Sequence, residues 1–272
     1  MANASANTEY PFVEFMKIKI NTLTCQEAVQ VMKQVIANEQ TGYICLTDVG
    51  NVVSAAHDER LQAAINNSLL SLPDGAPLAS YARMAGYKQT ERISGMGLME
   101  YLFTEKVAFS HYLLGDTEQT INKVITKAKK IDQGIRITGY SPPFRHFTPQ
   151  DNRNIIEKIH QANPDIIWVS FGGGKQEKWM LNNISEVGKG IMIGAGAAFK
   201  WFTGDLKTPP EIFQKLCLQW FFRLISEIAK DPRKGKTLFL ERQLRKFPIF
   251  LMNFPIELAS ARRRFKRQND FI

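Results

Sequence analysis

A chain of 272 residues with 44% hydrophobic content is long enough for one large core plus an appendage, and it needs no covalent staples to fold. Its three cysteines, Cys25, Cys45 and Cys217, are odd in number and far apart, so they support neither a disulfide framework nor a closely spaced zinc site. The net charge of +9 is lopsided: residues 205–272 hold fifteen Lys and Arg against seven Asp and Glu, so +8 of it lies in the tail and the body is nearly neutral.

The first ten residues, MANASANTEY, lack a basic stretch followed by an apolar one. They read as a disordered start, and with three unpaired thiols the chain reads as cytoplasmic. From about residue 13 to 200, short β-rich runs alternate with amphipathic stretches, the pattern of an α/β domain built on a mainly parallel sheet flanked by helices. The predicted strands are 13–18, 43–47, 69–73, 107–115, 134–140, 165–172 and 190–196, with helices between them. Thr24 with Glu27 and Thr148 with Asp151 have capping-box spacing ahead of apolar-periodic runs. The α/β domain is expected over residues 11–204, with a break at GDLKTPPE and a basic helical appendage over 205–272.

In that appendage, RQLRKFPIFLMNFPIELASARRRFKRQ carries a dozen or so apolar positions broken by Pro248 and Pro255 and flanked by basic clusters. A membrane-crossing helix needs about 20 apolar residues, so this segment is expected to lie in a membrane interface, with its cations at lipid phosphates. Binding to nucleic acid is disfavoured because Phe247, Phe250 and Phe254 sit inside the apolar runs rather than among the basic residues, where bases would stack on them. Cutting the tail away from about residue 237 is expected to leave a folded body.

Ligands of an open parallel sheet bind at the carboxyl ends of its strands, and three clusters fall there. In LSLPDGAPLASYARM a strand ends at Pro73 and Asp74-Gly75 opens a helix, whose N-terminus favours an ionised carboxylate able to take a proton. In NPDIIWVSFGGGKQEKWM a buried strand runs into Gly172, Gly173 and Gly174, and Lys175, Gln176 and Glu177 begin a helix, an arrangement suited to a diphosphate. Neither the dinucleotide fingerprint G-x-G-x-x-G nor a P-loop is present, so the fold is Rossmann-like without that signature. In GYKQTERISGMGLMEYL, Arg92 precedes a glycine turn at Gly95, again apt for phosphate. His57, His111, His146 and His160 have no ligand spacing and no D-x-D pair is present, so no metal and no cofactor is expected.

Taken in order, these fragments resemble the WecG/TagA/CpsF family of glycosyltransferases. The family's T-x-N turn reads here Thr47-Asp48-Val49, and its P-D-G reads Pro73-Asp74-Gly75. The remaining motifs read Arg92-Ile93-Ser94-Gly95, GYSPPF (139–144), PDIIWVSFGGGKQE (164–177), GAGAAF (194–199) and FFRLISE (221–227). The resemblance implies a metal-independent inverting transfer of a hexose from a UDP-sugar to an undecaprenyl-diphosphate-linked sugar in surface-polysaccharide synthesis, carried out at the inner face of the membrane. It implies Asp74 as general base, Thr47 and Gln176 as donor contacts and Arg92 as stabiliser of the leaving phosphate. Asn51, Gly75, Gly95, Gly139, Gly172, Gly173, Gly174, Lys175, Glu177, Gly196, Arg223 and Arg233 are the expected substrate contacts. A homo-oligomer is compatible with it. Two departures stand out: Val49 replaces the family's Asn, with Asn51 two positions on, and Gly174 replaces the Pro of P-K-Q-E. The first motivates an alternative, a catalytically silent nucleotide-sugar-binding module at the membrane.

Overall fold

The computed structural model of the protein describes residues 9–206 and 245–269. It begins with an antiparallel hairpin, β1 (Phe12–Phe15) and β2 (Ile18–Asn21). The single strand expected over 13–18 is therefore two strands. Met16 and Lys17 both adopt positive φ, 48° and 65°, as the two central residues of a tight type I′ turn require.

The main sheet has six parallel strands: β3 (Thr41–Thr47), β4 (Leu70–Pro73), β5 (His111–Gly115), β6 (Ile137–Tyr140), β7 (Ile166–Ser170) and β8 (Gly190–Gly194). Their spatial order is β4-β3-β8-β7-β5-β6, so the last two strands enter the middle between two outward-running pairs. Because strand side chains alternate faces, one core takes Ile44, Leu46, Trp168 and Ile193 and the other takes Tyr43, Cys45, Val169 and Met192. The first core is closed by α1 (Cys25–Ala37), α5 (Gly95–Thr104), α6 (Glu118–Ile131) and α9 (Ala198–Thr203). On the other face lie α2 (Val49–Ala55), α3 (Glu59–Asn66), α4 (Ala76–Ala85), α7 (Pro149–Ala162) and α8 (Lys175–Val187). Both expected capping boxes form: Glu27 accepts from Thr24 N–H at 2.7 Å and Asp151 from Thr148 N–H at 2.8 Å. The hairpin protects the β4 edge, where Asn21 Oδ1 accepts from the Ser71 N–H at 2.7 Å.

The tail contributes α10 (Phe247–Asn269), and it is docked on the body. Phe250 stacks on Phe15 at 4.8 Å, Phe254 meets Tyr81 edge-on at 5.6 Å, and Phe265 meets Tyr87 at 4.9 Å. Polar ties add to this: Glu257 Oε1 accepts from Met16 N–H at 3.2 Å, and Arg264 pairs with Glu14 at 3.1 Å. Since Phe250, Leu258 and Ala261 are buried, α10 is part of the second core. A chain cut at about residue 237 would lose the rings that cover Phe15 and Tyr81. The outward face of α10 carries Leu251, Met252 and Ile256, which are 53%, 75% and 72% exposed. Among the described residues no helix is long and apolar enough to cross a membrane.

Candidate active site

The carboxyl ends of β4, β3, β8 and β7 form one continuous layer, three inter-strand steps or roughly 14 Å wide. At the β4 end, Pro73 stops the strand and the helix α4 begins with Gly75 as its N-cap, so Asp74 lies one residue before the cap. Two main-chain ties fix its backbone: its N–H donates to the Thr47 carbonyl at 3.0 Å, and its own carbonyl accepts from Arg92 Nε at 2.8 Å. Arg92 is exposed, so the rest of its guanidinium faces the layer's solvent side. The Ile93 N–H donates to the Pro73 carbonyl at 2.9 Å, which pins the whole Arg92 segment along the end of β4. The guanidinium is thereby tied to the main chain of Asp74 from a position eighteen residues away.

At the β3 end, Thr47 is fully buried, and its Oγ1 lies 2.9 Å from Ser71 Oγ. Its main chain, rather than its hydroxyl, is what reaches Asp74. The next residue, Asp48, caps α2 by accepting from Asn51 N–H at 2.7 Å. Asn51 turns its carboxamide toward the glycine loop, since its Oδ1 lies 3.1 Å from where a side chain at Gly173 would begin. A Cβ at that position would crowd the amide, so the glycine permits the close approach. Val49 starts α2, and the polar group in this turn is Asn51.

At the β7 end the chain leaves Ser170 through Gly172, Gly173 and Gly174 into α8. Gly172 and Gly174 hold φ of +88° and +82°, values that side-chain-bearing residues rarely adopt. Lys175 is exposed at the first turn of α8. Gln176 and Glu177 point inward. Gln176 is 3% exposed, with its Oε1 accepting from Gly196 N–H at 3.1 Å and its Nε2 donating to Glu177 at 3.0 Å. Glu177, sealed from solvent, also accepts from Gly174 N–H at 2.6 Å. Burial pushes its carboxyl pKa up, and the nearby Asp48 carboxylate pushes the same way, while hydrogen bonds from the Glu177 main chain, Gln176 and Gly174 pull it down.

At the start of α8 the N–H groups of Gly174 and Gln176 are taken up by Glu177 and by the Gly172 carbonyl, whereas the start of α4 has no side-chain cap and lies at the layer. Helix N-termini of this kind favour phosphate and other anions. Arg92 adds a full positive charge at one side, against the main chain of Asp74. Among the described residues no group of three His, Cys, Asp or Glu side chains is placed to hold a metal ion.

Two of the expected glycines serve packing. A Cβ at Gly95 would sit 3.0 Å from Ala198 Cβ and 3.2 Å from the Ala195 carbonyl, so this glycine lets α5 approach the turn after β8. Gly139 lies on the edge strand β6, beyond β5, and a Cβ there would come within 2.7 Å of the Leu113 carbonyl. Gly75 and Gly196 remain in the layer, whereas Arg223 and Arg233 lie outside the described residues. Residues that pattern reasoning did not single out are Asp48, Ser71 and Ser170; Ser170 Oγ donates to the Gly196 carbonyl at 2.6 Å. Their position as the first or last residues around strand ends was the only signal available.

An open parallel sheet of this kind binds its ligands outside the carboxyl ends of its strands, where this layer lies. The sequence profile of the glycosyl transferase WecG/TagA/CpsF family matches residues 13–264, and the chain belongs to that family of glycosyltransferases. Among its relatives, a Bacillus subtilis (strain 168) protein is 30% identical over 215 residues, covering 73% of this chain and 82% of the relative. A Bacillus spizizenii (strain W23) protein is 26% identical over 178 residues, or 65% of this chain and 68% of the relative. A Staphylococcus aureus (strain MW2) protein is 24% identical over 263 residues, covering 94% and 95%. All three are N-acetylglucosaminyldiphosphoundecaprenol N-acetyl-beta-D-mannosaminyltransferases.

Proposed function

We propose that this chain transfers a hexose, of N-acetylmannosamine or related type, from a UDP-sugar to a polyprenyl-diphosphate-linked sugar, with inversion and without a metal ion. The observation that carries the reading is the hydrogen bond of Arg92 Nε to the Asp74 carbonyl, which holds a cation against the main chain of the proposed base at the end of β4. In one step an acceptor hydroxyl oxygen bonds to the anomeric carbon, the bond from that carbon to the diphosphate breaks, and the hydroxyl proton passes to Asp74. UDP leaves carrying the bond electrons. The charge that develops on its phosphate oxygens is met by Arg92 and by the N–H groups of the glycine loop, electrostatic compensation that a metal would otherwise supply. Asn51 takes the place of the family Asn at the donor, with Gln176 behind it. Arg223 and Arg233 are assigned to the substrate diphosphates on the family pattern.

The acceptor in this reading is membrane-bound, and α10 offers the means of reaching it. Leu251, Met252 and Ile256 form an exposed apolar strip, followed along the helix by exposed Arg263, Lys266 and Arg267. Apolar insertion combined with about 1 kcal/mol per basic residue near an anionic surface favours peripheral attachment at the cytoplasmic leaflet. The test is a panel of UDP-sugars assayed for UDP release with a synthetic polyprenyl-diphosphate N-acetylglucosamine in excess EDTA. Acceptor-dependent release from one donor supports the reading. UDP binding without release from any donor favours the silent module, and release that requires added magnesium overturns the metal-independent step.

A further inference from the structure

The loops after β7 and β8 are joined by a relay of hydrogen bonds. Gly174 N–H donates to Glu177 Oε2 at 2.6 Å, and Gln176 Nε2 donates to Glu177 Oε1 at 3.0 Å. Gly196 N–H in turn donates to Gln176 Oε1 at 3.1 Å, and Ser170 Oγ donates to the Gly196 carbonyl at 2.6 Å. Every member is at a loop that lines the layer. A carboxamide has a donor end and an acceptor end that are nearly the same size, so only its partners decide which way it points. Here the partners leave one choice. An ionised carboxylate only accepts, so it draws the NH2 end of Gln176 and leaves the oxygen end for Gly196 N–H. A Cβ at Gly194 would meet Gln176 Nε2 at 2.8 Å, so glycine at that position keeps space for the amide.

We propose that Glu177 is a positioning residue: its buried carboxylate fixes the orientation of the Gln176 amide and, through it, locks the glycine loop of Gly172–Gly174 to the Gly196 turn. Protonation or amidation of that carboxylate would leave one acceptor oxygen for two donors, the Gly174 N–H and the Gln176 NH2. Either the Gly174 N–H loses its acceptor, or the Gln176 amide turns over and its NH2 faces the Gly196 N–H with no acceptor between them. Either way a buried donor loses its partner, at a cost far above that of a solvent-exposed change. The titratable groups coupled to Glu177 are Asp48 at the start of α2 and the Cys45 thiol on β3; Lys178, next along α8, is turned to Asp58 instead. The consequence for donor binding rests on the UDP-sugar reading, whereas the locking of the two loops does not.

The full-length protein is compared with E177Q and with the exchanged pair Q176E/E177Q by amide hydrogen exchange and by UDP titration. In E177Q the exchange of the Gly174 or the Gly196 amide is expected to accelerate at least tenfold, with kcat/KM for transfer at least tenfold lower. The exchanged pair again offers an acceptor to each of these amides, so protection at both returns to within about threefold. UDP affinity stays below that of wild type, because a negative charge now lies beside the phosphates. Protection unchanged within twofold at both amides in E177Q, or no recovery in the exchanged pair, overturns the proposal. If E177Q fails to fold, acid titration of the wild-type protein decides: the Glu177 side-chain carboxyl carbon and the Gly196 amide nitrogen must shift with one midpoint, and separate midpoints refute the link. A wild-type protein that turns over no UDP-sugar removes the proposed function, and the exchange measurements still decide the role of Glu177.

Discussion

The carboxyl-end layer and the aromatic belt under α10 are held by different forces. In the layer, Asp74, Arg92, Gln176 and Gly196 are placed by main-chain hydrogen bonds and by glycines that admit close approach. In the belt, Phe15, Tyr81, Phe250 and Phe254 are placed by ring against ring, across the two ends of the chain. Side chains at the mouth of the layer contribute little burial, so changing one alters ligand chemistry and leaves the fold in place. Rings in the belt pack on one another within the second core, so changing one is expected to cost stability first.

Phe250→Ala is the strongest way to break the belt. Losing a buried phenyl ring leaves a cavity that costs about 3–5 kcal/mol, read as a lower urea midpoint, while kcat of the protein that remains folded stays within twofold. A similar loss of stability with kcat reduced tenfold would join the two regions and break the contrast. Next in size is the acid response of His111, at the amino end of β5 and thus on the side of the sheet away from the layer. Its ring is buried, its Nδ1 accepts from Trp168 Nε1 at 3.3 Å, and its Nε2 has no hydrogen-bond partner among the described residues. Desolvation lowers its pKa from 6.5 to about 4, only partly opposed by the Asp165 carboxylate. The folded protein therefore binds fewer protons than the unfolded chain between these values. Stability from this residue is intact above pH 6.5 and falls as the pH drops toward 4, by up to about 3 kcal/mol. His111→Asn keeps an acceptor for Trp168 without titrating, and it should flatten the unfolding free energy over that range relative to wild type.

Arg92→Ala sharpens the comparison from the other side. Loss of a charge-assisted contact worth about 1.5–3 kcal/mol should weaken UDP binding at least tenfold in calorimetry, with the melting temperature within a few degrees of wild type. The smallest effect on stability belongs to the outward strip of α10: L251S/M252S/I256S changes only exposed positions, and such surface changes are usually within about 0.5 kcal/mol each. Sedimentation with anionic vesicles at physiological salt should nevertheless be lost. If it persists unchanged, the strip is not the membrane contact.

Legibility in the sequence follows the same division. The parallel sheet was readable because buried strands announce themselves as short apolar runs between amphipathic stretches, and the capping residues Thr24 and Thr148 declare their helices through local chemistry. The hairpin was not, because the Met16-Lys17 turn lacks the Asn-Gly or Asp-Gly pair that marks such turns and lies inside a run with strand-like composition. The residues of the layer could be gathered from motif order, but not the direction in which each faces. Gly95 and Gly139 accommodate neighbouring backbone and side chains, and Glu177 is turned into the protein, facts that depend on which side of an element meets which neighbour. The docking of α10 was hidden for a related reason, since its partners Phe15 and Tyr81 lie far upstream and a basic amphipathic helix reads the same whether it covers a protein core or a membrane.

In the proposed reaction the carboxylate after β4 takes the acceptor proton while the layer around it holds the donor. Asp74→Asn leaves the main-chain ties to Thr47 and Arg92 in place, so UDP affinity and the melting temperature should match wild type. Acceptor-dependent UDP release should fall by roughly a hundredfold or more, the scale expected for removal of a general base. Release at near wild-type rates by a variant that binds UDP normally would contradict the account.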